Sequence, residues 1–323
     1  MKNIRLGRSE LEVSTIAFGT WQLGGDWGAT DEKAAVAAIR RAAECGINFF
    51  DTAQAYGFGA SESLLARALK GRPRDQVVIA TKGGLRPIAG GGIERDASPD
   101  WIRRGVDSSL EALGTDYLDL YQIHWPDPKV PFAETAGALA DLKAAGKIRH
   151  VGVSNYDAAQ MAEFSRTLPV ETLQPVYHMF RRDIEESVLP YTKAHGIGVL
   201  AYGPLGHGLL SGALTPESRF APDDWRSKSD VFQGEPYRRN LRVVSALERF
   251  AQLELDTSVS RLAIAWVLAN PAVQVAIVGT RNPKHIDDAI AAADLELDAS
   301  ALRQIEDIIS DEVRVGGPSP ESV

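Results

Sequence analysis

The 323-residue chain contains a single cysteine, Cys45. One thiol forms no intrachain disulfide, and its Ala-rich helical surroundings read as those of a buried structural thiol. That usage fits a reducing compartment. No run of 18 apolar residues occurs, and Met1-Lys2-Asn3-Ile4-Arg5 has no apolar targeting core. These absences predict a cytoplasmic protein without a membrane partner. Basic runs are missing too. Lys and Arg number 35 against 43 Asp and Glu, a net charge of −8, so the cationic footprint for a phosphate backbone is lacking and nucleic acid is not expected as a partner. The six histidines, at 124, 150, 178, 195, 207 and 285, contain no ligand-spaced pair, so no metal is expected.

What remains is a globular composition, 44% hydrophobic and 24% charged, rich enough in apolar residues for a full core without metal or disulfide staples. At roughly 150 residues per domain the length suggests two domains, although α/β barrels reach ~250 residues as one. Short β-branched runs alternate with helical patterns. Ile47–Asp51, Val77–Lys82, Leu118–His124, His150–Ser154, Ile197–Tyr202 and Val275–Gly279 read as strands buried on both faces; Thr15–Gly19 and Glu171–Gln174 are weaker ones. Six of the seven intervals between strand ends are 20–42 residues, the size of one βα unit, and the last is 77. Eight such units predict a (β/α)8 TIM barrel, with a doubly wound open sheet as the rival.

Helix ends are legible. Ser98-Pro99 starts a helix that Gly114 stops, and Gly46 and Gly146 follow helical runs. Ile4–Val13, with Gly7-Arg8-Ser9 at its middle, predicts an N-terminal β-hairpin within residues 1–14. Arg86–Pro99, with Gly90-Gly91-Gly92, and Gly203–Pro236 predict long loops at the C-terminal rim, the first flexible. Residues 316–323 read as a flexible tail, and no linker divides the chain, so one domain is expected over 1–323.

Asp51, Lys82 and His124 end successive strands, and Tyr56 follows on the first of the loops. Singly, each has a bland reading: a helix cap, a snorkelling lysine, a structural histidine, a packed tyrosine. In a barrel those strand ends converge on one face. Tyrosine is a weak acid, with a reference pKa of ~10. An ammonium beside a phenol makes it a better acid, and a carboxylate fixes that ammonium. Such a phenol can protonate a carbonyl oxygen as charge develops there, while an imidazole N–H orients it. No side chain donates hydride, so a cofactor must.

Asp51-Thr52-Ala53-Gln54-Ala55-Tyr56-Gly57 resembles the signature of the aldo-keto reductases. The likeness runs from Gly7 to about Ile309, through Thr81-Lys82, Gln122-Ile123-His124-Trp125-Pro126-Asp127, Gly152-Val153-Ser154-Asn155, Gln174-Pro175, Tyr202–Gly206, Gly208–Gly212 and Gly279-Thr280-Arg281. The resemblance implies a catalytic tetrad of Asp51, Tyr56, Lys82 and His124, with Tyr56 as general acid/base. It implies that Ser154, Asn155 and Gln174 hold a nicotinamide carboxamide and that Tyr202 stacks on the ring. Capping of the next helix is the structural reading of Ser154-Asn155.

Further cofactor contacts implied are Gly19, Thr20, Trp21, Asp51, Gly203, Pro204, Leu205, Gly208, Leu210, Gly279, Thr280, Arg281, His285 and Asp288. Trp21, Tyr56, His124 and Trp125 are placed on the substrate side. Arg86 and the Arg181-Arg182 pair are further candidates for an anionic or polyhydroxylated substrate. Gly206, Gly208 and Ser211 miss the G-x-G-x-x-G fingerprint, since Ser211 holds its sixth place. Arg281 suits an adenosine 2′-phosphate, so NADP(H) is favoured. Departures at Gly203, His207, His285 and Asp288-Ala289 leave NAD(H) open.

The expected activity is reduction of aldehyde, ketone or sugar carbonyls, or the reverse, with a small-molecule partner. A nicotinamide-binding regulatory subunit and a Schiff-base lyase using Lys82 are the alternatives.

Overall fold

Strand pairing explains why the short apolar runs are so uniformly buried. The computed structural model describes residues 1–24, 31–222, 224–310 and 315. Eight parallel strands close into a barrel in the order β10-β11-β12-β3-β4-β5-β8-β9. They are β3 (Ile16–Gly19), β4 (Phe49–Asp51), β5 (Val78–Gly83), β8 (Leu118–Ile123), β9 (Ile148–Ser154), β10 (Thr172–Gln174), β11 (Gly198–Tyr202) and β12 (Val275–Gly279). All eight predicted strands are present, including the two weak ones. The open-sheet rival is excluded because β12 pairs with β3 and closes the ring.

Side chains alternate along each strand, inward then outward. Ala17, Phe49, Ala80, Leu120, Leu200 and Val275 fill the barrel, whereas Ile16, Phe18, Phe50, Ile79 and Tyr121 pack outward under the helices. Each large side chain so buried contributes about 1.5–3 kcal/mol. The predicted hairpin is β1 (Asn3–Arg5) paired antiparallel with β2 (Glu12–Ser14), Ile4 opposite Val13. Leu6, Leu11 and Val13 join the inner core and plug the barrel.

Ten α-helices occur among the described residues: α1 (Glu32–Glu44), α2 (Ala60–Leu69), α3 (Pro99–Leu113), α4 (Phe132–Ala144), α5 (Ala158–Phe164), α6 (Val188–Ala194), α7 (Gly234–Leu255), α8 (Val259–Ala269), α9 (Lys284–Ala292) and α10 (Ala299–Ile309). Ser98, Pro99 and Gly114 bound α3 as expected, with Gly114 left-handed at φ 63°. The Ser98 side chain makes no capping bond; its backbone N–H donates instead to Asp96.

Two expectations are corrected. Residues 86–99 are not a featureless loop: β6 (Leu85–Pro87) and β7 (Ile93–Arg95) form a second hairpin. Gly90, Gly91 and Gly92 all take positive φ in its turn, and Arg86 ties it by ion pairs to Glu94 (2.6 Å) and Asp96 (3.3 Å). Cys45 is half-buried rather than buried, because it caps α1 beside Asp287, to which its thiol lies at 3.7 Å. Burial nevertheless raises the thiol pKa, which leaves it a poor nucleophile. Among the described residues of 203–236, short 3-10 turns are the regular structure that precedes α7. The expected tail at 316–323 lies outside the described residues.

Candidate active site

Parallel strands deliver Asp51, Lys82 and His124 to one rim, since each lies within one residue of the C-terminal end of its strand. Lys82 is fully buried, and its ammonium donates to Asp51 Oδ2 (2.7 Å), the Thr52 carbonyl (2.9 Å) and the Tyr56 hydroxyl (3.3 Å). The other Asp51 oxygen accepts from Gln174 Nε2 at 2.8 Å. The His124 ring meets the Tyr56 ring edge-on, centroids 5.7 Å apart. A cation held against a phenol oxygen away from water stabilises negative charge on that oxygen, because screening is weak there.

The tetrad is braced from behind by α2. Ser61 donates to Thr20 Oγ1 (2.7 Å) and lies 3.1 Å from Thr52 Oγ1. Thr81 donates to Glu62 at 2.6 Å. Thr52 and Thr81 adjoin Asp51 and Lys82 in the chain, so consecutive α2 residues fix the outer faces of both strands. Burial raises the Glu62 carboxyl above its usual range, against the opposing pull of Thr81 and Lys82.

On the other side, Gly24 abuts Tyr56: a Cβ there would lie 2.8 Å from Tyr56 Cβ and 2.9 Å from its backbone. Gly24→Ala is therefore expected to displace Tyr56 and lower kcat by roughly 10- to 100-fold, measured under saturating conditions. Unchanged kcat would show that this contact is not needed.

The rim opens into a cavity of about 420 Å3. Across from Tyr56 and His124 stand Ser154, Asn155, Gln174 and Tyr202. Tyr202 OH donates to Asn155 Oδ1 (3.0 Å), Asn155 Nδ2 to Ser154 Oγ (3.0 Å), and Ser154 Oγ to the Gln174 carbonyl (2.8 Å). Asn155 takes φ 61°, a left-handed conformation that Asn tolerates better than most residues. Ser154 and Asn155 do not cap the next helix. Asp157 does, in a capping box with Gln160.

Farther along, the chain reverses at His207 (φ 56°) and Gly208 (φ 98°), both cavity walls. Arg226 reaches back to donate to the His207 carbonyl (3.2 Å) and is gripped by Asp224, with Nη2 to Oδ2 at 2.6 Å. Burial works against the Asp224 charge, but the Arg226 hydrogen bonds hold its carboxyl below the usual range. Arg281 lines the same end, which thus carries two guanidinium groups.

His207 is lowered to about 4, by burial first and then by the charges of Arg181 and Arg226. Burial likewise lowers neighbouring His178, whose Nδ1 accepts from the Phe180 N–H. As pH falls from ~6.5 toward 4, the unfolded chain takes up protons that the folded chain refuses, so stability drops. The urea midpoint is expected to be lower at pH 5 than at pH 7.5. His207→Asn, which keeps a side chain suited to positive φ, should flatten part of that decline.

A sequence profile described as Aldo/keto reductase family matches residues 15–310. This chain belongs to the aldo/keto reductase family. It is an oxidoreductase. Aldo-keto reductase YhdN of Bacillus subtilis (strain 168) is 40% identical over 316 residues, covering 97% of this chain and 95% of that protein. The NADH-specific methylglyoxal reductase of Escherichia coli (strain K12) is 34% identical, covering 96% and 99%. The solved structure of the glycerol dehydrogenase AKR11B4 from Gluconobacter oxydans superposes with a TM-score of 0.89 at 36% identity, covering 98% of both chains.

The fold brings most of the expected residues to the cavity. Asp51, Tyr56 and His124 line it, and Lys82 lies beneath it. Gly19, Trp21, Ser154, Asn155, Gln174 and Tyr202 line it, as do Gly203, Pro204, Leu205 and Gly208 and, beyond β12, Gly279, Thr280, Arg281 and His285.

Four expected contacts do not. Thr20 is buried behind the wall, donating to the Asp51 carbonyl (3.1 Å). Leu210 points into the outer core, fully buried. Asp288 is drawn off by Arg261 on α8, 2.6 Å away. Trp125 stacks under Arg95 of the second hairpin, 5.3 Å from guanidinium to ring, outside the cavity walls. Arg86 is committed to its hairpin, and Arg182 to Glu185 and Glu306.

Gln22, Arg226 and Asn282 also line the cavity and carry no motif in the sequence, and Ser211 and His207, departures from the expected patterns, line it as well. The Asp224-Trp225-Arg226 run carried a charge pair as its one signal. Among the described residues no three His, Cys, Asp or Glu side chains are grouped as metal ligands, and no helix is long and apolar enough to cross a membrane.

Proposed function

We propose that this chain, acting as one barrel domain, reduces aldehyde, ketone or sugar carbonyls to alcohols, or runs the reverse, with NADP(H) favoured and NAD(H) the alternative. The observation that carries this reading is the buried Lys82 ammonium on the Tyr56 hydroxyl, at the wall of a cavity whose far side is rich in amide and hydroxyl groups. Cavity and donor set fit a nicotinamide dinucleotide. Gln174 Oε1 has no protein partner among the described residues and can accept from a carboxamide N–H, and Asn155 Oδ1 has a second lone pair to offer. Tyr202 lines the same space and is the aromatic residue available to stack on the ring. The backbone turn at 206–210, Arg226 and Arg281 suit phosphate groups.

When bound, the nicotinamide supplies hydride at its C4. Tyr56 gives its proton to the substrate oxygen as charge gathers there, and regains one in the return direction. Lys82 stabilises the resulting phenolate, Asp51 holds Lys82, and His124 orients the substrate oxygen. Trp21 walls the substrate side, edge-on to His207 at 5.8 Å.

The lyase alternative loses ground because all three Lys82 N–H groups are engaged and the amine does not line the cavity. Relatives named for methylglyoxal and glycerol, both three-carbon oxygenated molecules, direct the first substrate screen to short oxygenated carbonyls and polyols. The test is fluorescence titration with NADPH and NADH, followed by assays in both directions. Cofactor oxidation by the protein alone is expected; its absence with every carbonyl would favour the regulatory-subunit reading. Arg281→Ala is expected to weaken NADPH about 10-fold or more and leave NADH nearly unchanged, since a charge-assisted hydrogen bond contributes ~1.5–3 kcal/mol. Equal loss for both cofactors would remove the 2′-phosphate assignment.

A further inference from the structure

Gln174 has two chemically distinct ends, and they face different partners. Its Nε2 lies 2.8 Å from Asp51 Oδ1. A carboxylate only accepts, so the amide nitrogen must face it and the orientation of the side chain is fixed by chemistry. The amide oxygen is left toward the cavity, which Gln174 lines. The residue sits at the end of the three-residue strand β10, in register with Ser154 on β9. Its own carbonyl accepts from Ser154 Oγ (2.8 Å) and the Asn155 N–H (3.1 Å). Gln174 is only 2% exposed and has little room to choose another rotamer.

The buried Asp51 carboxylate therefore has one side-chain donor on each oxygen: Lys82 on Oδ2 and Gln174 on Oδ1. With Lys82 alone it can rotate about its last bond, and the ammonium loses the fixed partner that aims its remaining N–H at Tyr56. We propose that Gln174 is a positioning residue for the tetrad as well as a cofactor contact, setting Asp51 and, through it, the Lys82–Tyr56 pair. Hydrogen bonds then join Tyr202, Asn155 and Ser154 to the Gln174 backbone carbonyl, and the Gln174 side chain carries the connection on to Asp51, Lys82 and Tyr56. The side that holds the carboxamide and the side that holds the proton share one residue. A glutamine serving the cofactor alone would keep its N–H donors for the ligand; this one spends one on Asp51.

The inference rests on the proposed reductase reading, and the two are separable by experiment. Gln174→Met keeps the length and removes both polar ends. NADPH affinity, read by fluorescence, should fall several-fold. At saturating NADPH, kcat should still fall about 10-fold or more, and its pH midpoint should move upward, because a loosened Lys82 stabilises the phenolate less. Gln174→Glu retains an oxygen for the carboxamide but sets a second carboxyl against Asp51, and two such groups share one proton. Its NADPH affinity should stay within a few-fold of the parent, while its turnover relative to the parent recovers as pH is lowered.

Weaker NADPH binding with an unmoved kcat and pH midpoint in Gln174→Met, together with a parent-like pH profile in Gln174→Glu, would overturn the positioning role. It would leave the reductase reading intact. A parent protein that turns over no carbonyl or alcohol with either cofactor would instead sink the functional reading. Should Gln174→Met fail to fold, the pH-dependent recovery of Gln174→Glu decides by itself.

Discussion

Tyr56→Phe is expected to cut kcat by roughly 10^2- to 10^4-fold, the span covered by a positioned general acid. The change removes one oxygen and nothing else. Tyr56 is 5% exposed, and its ring packs edge-on to His124, so phenylalanine keeps that contact. Lys82 retains Asp51 and the Thr52 carbonyl as acceptors, at 2.7 and 2.9 Å, so the ammonium is not stranded. Cofactor affinity should therefore hold within a few-fold, since the groups assigned to the carboxamide and phosphates lie elsewhere on the wall. Stopped-flow or steady-state kinetics with NADPH and a reducible carbonyl, beside a fluorescence titration, checks both halves. Near-parent kcat in this variant would remove Tyr56 from the chemistry.

Lys82→Met is expected to damage stability as well as turnover. Methionine fills the space of the aliphatic stem but leaves Asp51 buried, charged and held only by Gln174. Breaking one side of a buried ion pair costs about 3–5 kcal/mol, because the partner's desolvation goes uncompensated. Urea unfolding should show that loss, and kcat should fall at least as far as in Tyr56→Phe, since no cation remains to stabilise the phenolate. The double variant Asp51→Leu with Lys82→Met separates the effects: most of the stability should return, because no lone charge is buried, while turnover stays abolished. A single variant as stable as its parent would mean that the pair is solvated or readily replaced.

Much of this site was legible along the chain for a simple reason. A barrel strand ends where its apolar run ends, and parallel strands bring those ends to one rim. Asp51, Lys82, His124, Ser154, Gln174, Tyr202 and Gly279 were therefore placed by local pattern alone, and all lie at the rim. The direction of side chains in the same segments is not legible in this way. Thr20 and Leu210 sit among rim residues in sequence, yet alternation and turn geometry send them into the wall. Asp288 was lost to Arg261, 27 positions away, through an ion pair between two helices that no short window reveals.

Sequence by itself determined the period of the fold, the strand ends and the kinds of side chain at them, because hydrophobic alternation and turn residues act locally. Tertiary structure decided what those side chains touch. The Gln174–Asp51 bond spans 123 positions, Arg226 reaches the cavity from the middle of a long loop, and Leu6 and Leu11 plug the barrel from a hairpin. Such contacts depend on how eight tilted strands close and how loops fold back over them. That geometry is set by packing of the whole chain, since no single segment contains both ends of the contact.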